Sequence, residues 1–423
     1  MAKAVEVDPG ALAGAAEGEQ RAGRGLLSIT SANVYFILSG YAVQLFLPRL
    51  LGSPEAFGRY ASAMNVVSIL NNVLIAATVQ TVSKQVSADL ERAETTLRQG
   101  LLLQAGLGTV LSAALFVLSP SLAARALLDP GLAPLISAAS IVVFCYAPYA
   151  ALVGALNGRQ RFAAQAGLNV IYTTLRTLAI LGAAALGFGA LGAILGFASA
   201  AAGVLLLALV VVGVGKRGGV VAWKSWLLLM GPLWLYQLCL NLTLQVDLSV
   251  LKGSVAALGR EAGMLPELAA DAASRLSGFY RAAQTFAFVP YQLILSVTFV
   301  VFPMVSQAVS EGDHAASQRY IRAAMRFSLL VLLAIAAPIS GAASGVMRVA
   351  YPEVYLGGAE ALAVLPFGMV CFALFVIGGT VVSGAGRPGL SAAVALVTVV
   401  LVVGCDLAFI RMAGVGPHTL LAA

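Results

Sequence analysis

The segment Leu47–Ala63 reads LPRLLGSPEAFGRYASA and joins the first two long apolar runs of the chain. It holds the pattern Gly58-x-Tyr60-x-x-Ala63, which returns as Gly278-x-Tyr280-x-x-Ala283. Three further matches follow in the same order. Val82-Ser83-x-x-Val86-Ser87 answers to Val305-Ser306-x-x-Val309-Ser310, Gly158-Arg159 to Gly386-Arg387, and Gly187-x-Gly189 to Gly414-x-Gly416. The offsets are 220, 223, 228 and 227 residues. Each match alone is weak, but four in one order at nearly one offset point to an internal duplication.

Composition fixes the class. Apolar residues make up 60% of the 423-residue chain and charged residues only 10%, against about a quarter charged in a soluble domain. Such a chain is an all-α polytopic membrane protein, because lipid offers no partner to a bare backbone. Runs long enough to cross about 30 Å of hydrocarbon fall near 27–50, 60–82, 100–119, 134–156, 163–186, 188–214, 226–250, 276–302, 325–348, 360–383 and 388–410. The repeat places six spans between matched positions, and an even number preserves orientation. The expected architecture is therefore two parallel six-helix lobes related by a pseudo-two-fold axis along the membrane normal. In this register a twelfth span begins near Pro417, and the chain stops at Ala423, so a truncated last helix is expected. The domains are a disordered cytoplasmic tail at 1–25, an N-terminal lobe at 26–217 and a C-terminal lobe at 218–423. The tail lacks the apolar core of a signal peptide, which leaves insertion to the first span.

With the N-terminus inside, fifteen Lys and Arg fall in inner segments and eight in outer ones, as the positive-inside rule requires. The net charge of +7 thus marks a membrane topology and not a nucleic-acid partner. The longest expected outer loop, about Lys252 to Arg275, suits a short surface helix, and the inner linkers 83–99 and 304–324 suit amphipathic helices at the interface. Four cysteines inside apolar runs read as small buried thiols. Two distant histidines offer no metal or catalytic site, and no cofactor is implied. Gly154-x-x-x-Gly158 and Gly341-x-x-x-Gly345 allow close helix packing.

Polar residues inside spans carry most of the functional information. Gln237, Asn241 and Gln245 share one face of span 7, Asn65, Ser68 and Asn72 one face of span 2, and Arg281, Gln284 and Gln292 roughly one face of span 8. Asn33 and Gln44 lie on span 1. Spans 1, 2, 7 and 8 are equivalent pairs under the repeat, so these stripes are expected to line a hydrated cavity between the halves. The alternative is interhelical hydrogen bonding alone. Arg176 and Arg281 fall at similar depth in the outer half of the bilayer. A guanidinium fork suits phosphate, and amides suit sugar hydroxyls. Asp247 is a candidate ion-pair partner for one arginine, and a structural pair or snorkelling arginines is the competing reading. Spans 1 to 6 contain no acid in their cores, which counts against a site for organic cations.

The segment LPRLLGSPEAFGRYASAMNVVSIL resembles the first-loop signature of bacterial oligosaccharide flippases, the polysaccharide-transporter branch of the MATE-like superfamily. SGFYRAAQTFAFVPYQLILSVTFVVFPMVS, from Ser277 to Ser306, is similar to the second-half signature, and NGRQRF at 157–162 and GAGRPGL at 384–390 to the inner loops. The likeness covers about residues 27–415. It implies a central cavity lined by helices 1, 2, 7 and 8, alternating access, and a lipid-diphosphate-linked oligosaccharide as cargo in the bacterial inner membrane. It also implies membrane lipid, a polysaccharide polymerase and assembly proteins as partners. Arg176 and Arg281 are expected at the diphosphate, and Gln237, Asn241, Gln245, Asn65 and Asn72 at the sugar. A multidrug or cation antiporter of the same fold is one rival. A membrane glycosyltransferase or polymerase is another, and it would need the 252–275 loop with Glu261, Glu267 and Asp271.

Overall fold

The computed structural model describes residues 9–218, 223–292, 314–384 and 387–414, and these contain helices and connecting turns but no strand. The helices are α1 (Pro9–Leu51), α2 (Pro54–Ala88), α3 (Ala93–Ser121), α4 (Ala133–Gly158), α5 (Phe162–Ala185), α6 (Gly189–Val212), α7 (Trp223–Glu261), α8 (Pro266–Ala287), α9 (His314–Gly341), α10 (Ala343–Ala350), α11 (Ala359–Gly384) and α12 (Pro388–Ala413). Nine spans among the described residues are long and apolar enough to cross a membrane. Together with the family evidence below, they make the chain a multi-pass membrane protein.

The turn between α1 and α2 is tighter than the apolar pattern suggests. Gly52 ends α1 at φ +75°, a left-handed conformation that favours glycine. Ser53 then caps α2 by accepting a hydrogen bond from the Ala56 amide at 3.2 Å, with Pro54 at the first helical position and Glu55 in the first turn. The Gly58–Ala63 motif therefore lies inside α2, and only Gly52 and Ser53 form the turn.

Three other expectations change. The segment expected as a disordered tail is helical from Pro9. The expected 252–275 loop is helix on both sides of a short turn, since α7 runs to Glu261 and α8 starts at Pro266. The inner linker 83–99 is likewise the end of α2 and the start of α3, with only a short turn from Asp89 to Arg92 between them. Much of span 8, the linker from 304 to 313 and the expected start of a twelfth span lie outside the described residues. Of the cysteines, Cys145 and Cys239 are buried, whereas Cys371 and Cys405 are exposed on the apolar helices α11 and α12.

α2 is the hub of the bundle and packs against α4, α7 and α8. Around it α3 packs on α4, α1 on α5, α5 on α6 and α4 on α6. α7 packs on α8 and α12, and α11 on α8, α9 and α12. Small residues set the closest approaches. A Cβ on Gly154 would come within 2.8 Å of the Val82 Cβ, and one on Gly158 within 2.7 Å of the Ser83 carbonyl, so α4 lies tight on α2. Gly341 and Gly345 have nothing comparable within 4 Å.

Candidate functional site: a central polar cavity

A cavity of about 850 Å³ runs alongside α2 from Tyr60 to Gln80, about 30 Å of helix at 1.5 Å per residue. Of the residues singled out in the sequence, Asn33, Gln44, Asn65, Ser68, Asn72, Arg176, Gln245, Arg281, Gln284 and Gln292 line it. Gln237, Asn241 and Asp247 do not. The expected lining by helices 1, 2, 7 and 8 is redistributed. α7 contributes only Gln245, while α4 and α5 supply Tyr146, Tyr149, Gln165, Asn169, Tyr172 and Arg176.

The cause is the contact between α2 and α7. Asn65 Nδ2 donates to the Gln245 carbonyl at 2.6 Å and to Ser249 Oγ at 3.1 Å. Asn72 Nδ2 donates to Asn241 Oδ1 at 3.0 Å, and Asn241 Nδ2 donates to the Gln237 carbonyl at 2.9 Å. Asn241 is thus used in holding α7 to α2, and Gln237 serves through its backbone. Here the helix-joining reading of the amides holds beside the cavity reading.

α5 presents Gln165, Asn169, Tyr172 and Arg176 to the cavity. Their spacing of four, three and four residues is a helical stripe that was legible in the sequence and passed over beside the half–half boundary. Tyr146 and Tyr149 face it from α4, with ring centroids 5.5 and 6.2 Å from Tyr172. Arg176 is seated between rings, its guanidinium carbon 4.7 Å from the Phe36 centroid and 5.6 Å from that of Tyr172. Such stacking holds a planar guanidinium by its faces.

Arg281 reaches the cavity from α8, with Nη1 donating to Gln284 Oε1 at 3.3 Å. Gln284 Nε2 donates in turn to Asp247 Oδ2 at 2.9 Å, and the same oxygen accepts from the Tyr280 hydroxyl at 2.7 Å. The other carboxylate oxygen accepts from the Leu248 amide at 2.7 Å. Asp247 therefore forms no direct ion pair among the described residues, because Gln284 stands between it and Arg281. Tyr60, Arg176 and Arg281 all line the cavity.

Among the described residues, no carboxylate lines the cavity, whereas two guanidiniums do. Several lining groups also hold a buried polar atom with no hydrogen-bond partner among the described residues: Tyr41 Oη, Gln44 Oε1, Asn71 Oδ1, Gln165 Oε1, Arg176 Nε and Gln292 Oε1. Leaving such atoms unsatisfied costs about 1–3 kcal/mol each. The arrangement suits an anion flanked by a polyol.

Beyond Tyr60 the helices close together through an ion network with a buried Lys252–Asp129 pair and a more exposed Arg59–Asp271 pair. Lys252 on α7, 0% exposed, donates to Asp129 Oδ2 at 2.9 Å, to the Ala270 carbonyl at 3.0 Å and to Ser274 Oγ. Arg59 on α2 approaches Asp129 Oδ2 at 3.5 Å and Asp271 Oδ1 at 2.5 Å. Lys252 was expected in a loop; its burial follows from α7 continuing past it.

The fold is shared with solved transporters. An inward-facing multidrug resistance MATE family transporter of the MOP superfamily superposes with TM-score 0.69 at 16% identity, covering 92% of this chain and 89% of that one. The lipid II flippase MurJ in an inward closed conformation gives TM-score 0.71 at 14% identity, covering 93% and 83%. An outward-facing MATE family transporter gives 0.65 at 16% identity, covering 94% and 91%. No curated protein matches the sequence. The sequence itself matches the family described as "Polysaccharide biosynthesis protein" over residues 22–309. These residues include α2, α5, α7, α8 and every cavity-lining side chain named above, and the chain belongs to the polysaccharide biosynthesis protein family.

Proposed function

We propose that the chain is a flippase that carries lipid-diphosphate-linked oligosaccharide units from the cytoplasmic to the outer leaflet of the bacterial inner membrane, by alternating access, for cell-surface polysaccharide assembly. One observation carries this reading. Among the described residues, the cavity is lined by two guanidiniums and many amides and by no carboxylate. The diphosphate would lie between Arg176 and Arg281, with sugar hydroxyls on Asn65, Asn72, Gln245 and the α5 stripe. The lipid tail would remain in the bilayer. Lobes at 26–217 and 218–423 would rock about the α2–α7–α8 contact, with the N-terminus in the cytoplasm. A polysaccharide polymerase would take the cargo after release.

The antiporter reading is weaker on the same observation. A cation site needs an acid facing the cargo, yet Asp247 is turned to Tyr280 and Gln284, and neither it nor Asp406 lines the cavity. The enzyme reading loses its loop, since the 252–275 segment is helical at both ends.

Binding tests the proposal. Detergent-purified protein is titrated with a lipid-diphosphate oligosaccharide and with the same oligosaccharide on a neutral lipid. Two charge-assisted contacts predict at least about tenfold tighter binding of the diphosphate form. Equal affinities would remove the diphosphate from the account.

A further inference from the structure

A second cavity, of about 440 Å³, lies at the end of the bundle where the central cavity closes. It is formed where the C-terminal end of α3, the later part of α7 and the end of α12 meet. Arg125, Leu127 and Leu128 line it from one side, Ser249, Val250, Ser254, Leu258 and Glu261 from α7, and Leu407 and Arg411 from α12. It shares a wall with the central cavity, because Ser249, which lines the second, accepts a hydrogen bond from Asn65, which lines the first.

The local backbone is built, not left over. α3 ends in a π-helical turn, Leu122–Ala126, a feature frequent at functional sites. Leu128 then takes φ +51°, a left-handed conformation that costs a non-glycine residue about 1 kcal/mol or more. Arg260 Nη2 holds that strained turn by donating to the Leu128 carbonyl at 2.7 Å, and the buried Asp129–Lys252 pair fixes it from behind. Gly253 brings α7 against the π turn, since a Cβ there would stand 2.6 Å from the Ala126 carbonyl.

The charges have both signs. Arg125 and Arg411 enter from different helices, and among the described residues neither has a hydrogen bond or ion pair. Glu261 is the acid of the cavity. The C-terminal ends of α3, α7 and α12 add partial negative charge, about half a unit each before screening. The balance is therefore near neutral, with two arginines to attract an anion and Glu261 to attract a cation in the same cavity. Between them lie apolar walls that continue to the exposed Leu407.

We propose that this cavity holds the headgroup of a zwitterionic phospholipid with a primary amine. Its phosphate sits on Arg125 and Arg411, its ammonium faces Glu261, and an acyl chain runs along Val250, Leu258 and Leu407. A primary ammonium can donate hydrogen bonds to a carboxylate, and a quaternary one cannot. A purely anionic head would leave Glu261 facing a like charge. The inference needs only that these helices sit in a bilayer; it is independent of the cargo proposed above.

Native mass spectrometry of the detergent-purified chain tests it, counting retained phosphatidylethanolamine, phosphatidylcholine and phosphatidylglycerol. The expected result is about tenfold stronger retention of phosphatidylethanolamine than of phosphatidylcholine. Glu261→Gln should bring the two within about twofold, and Arg125→Gln/Arg411→Gln should weaken retention of both by about tenfold. Arg348→Gln, an exposed arginine elsewhere, should change nothing. If the double variant fails to keep its helical circular dichroism, Arg411→Gln alone, at an exposed last turn, should weaken both lipids severalfold. Equal retention in the parent, a preference that survives Glu261→Gln, or strongest retention of phosphatidylglycerol would each overturn the proposal. So would competition by soluble glycerophosphoethanolamine at the same concentration, which would show that the apolar walls hold no acyl chain.

Discussion

Gly58 and Gly278, the matching glycines of the internal repeat, lie against each other where α2 crosses α8. A Cβ on Gly58 would run into the Ser274 carbonyl and come within 2.8 Å of the Gly278 amide nitrogen. A Cβ on Gly278 would run into the Pro54 carbonyl and come within 3.3 Å of the Gly58 amide nitrogen. Ser274 and Pro54 each precede the facing glycine by four residues, so the crossing is two-fold symmetric in sequence as well as in space. The two copies of the motif meet at this one contact.

This contact predicts that Gly58→Ala and Gly278→Ala each destabilise the protein by about 1–3 kcal/mol, the cost of overpacking. Both act on one crossing, so the double variant should lose clearly less than the sum of the single losses. Thermal unfolding in detergent checks this. Unchanged melting, or strictly additive losses, would contradict the crossing as described.

The ion network beside that crossing gives a second prediction. Lys252→Met leaves Asp129 buried without its main cation, a loss of about 3–5 kcal/mol. Lys252→Met/Asp129→Asn removes the charge pair together and should recover part of that stability. Denaturant unfolding of the parent and both variants measures the order. A double variant less stable than Lys252→Met would contradict the account.

Arg176 is held by rings, so its shape matters as well as its charge. Arg176→Lys keeps the charge and loses the planar stack on Phe36 and Tyr172. The expected outcome is about tenfold weaker binding of a lipid diphosphate, with a smaller loss for Phe36→Leu of about threefold to tenfold. Full binding by Arg176→Lys would show that the guanidinium geometry is unused.

In the proposed reading, Gln165 and Asn169 of the α5 stripe meet the sugar and Arg176 the phosphate. Gln165→Ala/Asn169→Ala should weaken binding of the lipid-linked oligosaccharide severalfold, each lost hydrogen bond contributing about 0.5–1.5 kcal/mol. Binding of a lipid diphosphate without sugar should be unchanged. Equal loss for both ligands would place these residues in the fold instead of the sugar site.

The membrane class and most spans were legible in the sequence, because apolar run length depends on local composition alone. The exact turns were less so. Arg260, Glu261 and Arg275 made the α7–α8 region look like a loop, whereas the helices extend past the apolar part and bury Lys252 against Asp129. Burial of a charge by a partner distant in sequence leaves no periodic trace. The site was half legible. Arg176 and Arg281 stood out as isolated charges in apolar runs. Asn241 and Gln237 could not be told from cavity residues, because an amide that joins helices and one that faces a cavity share the same spacing.

The central claim is transport of an anionic lipid-linked sugar through the Arg176–Arg281 cavity. It is tested most directly by transbilayer movement of a labelled lipid-diphosphate oligosaccharide in proteoliposomes, for the parent and for Arg176→Gln/Arg281→Gln. The account predicts movement with the parent and at least about a hundredfold slower movement with the folded double variant, as two lost charge-assisted contacts imply. Equal movement by both would contradict it.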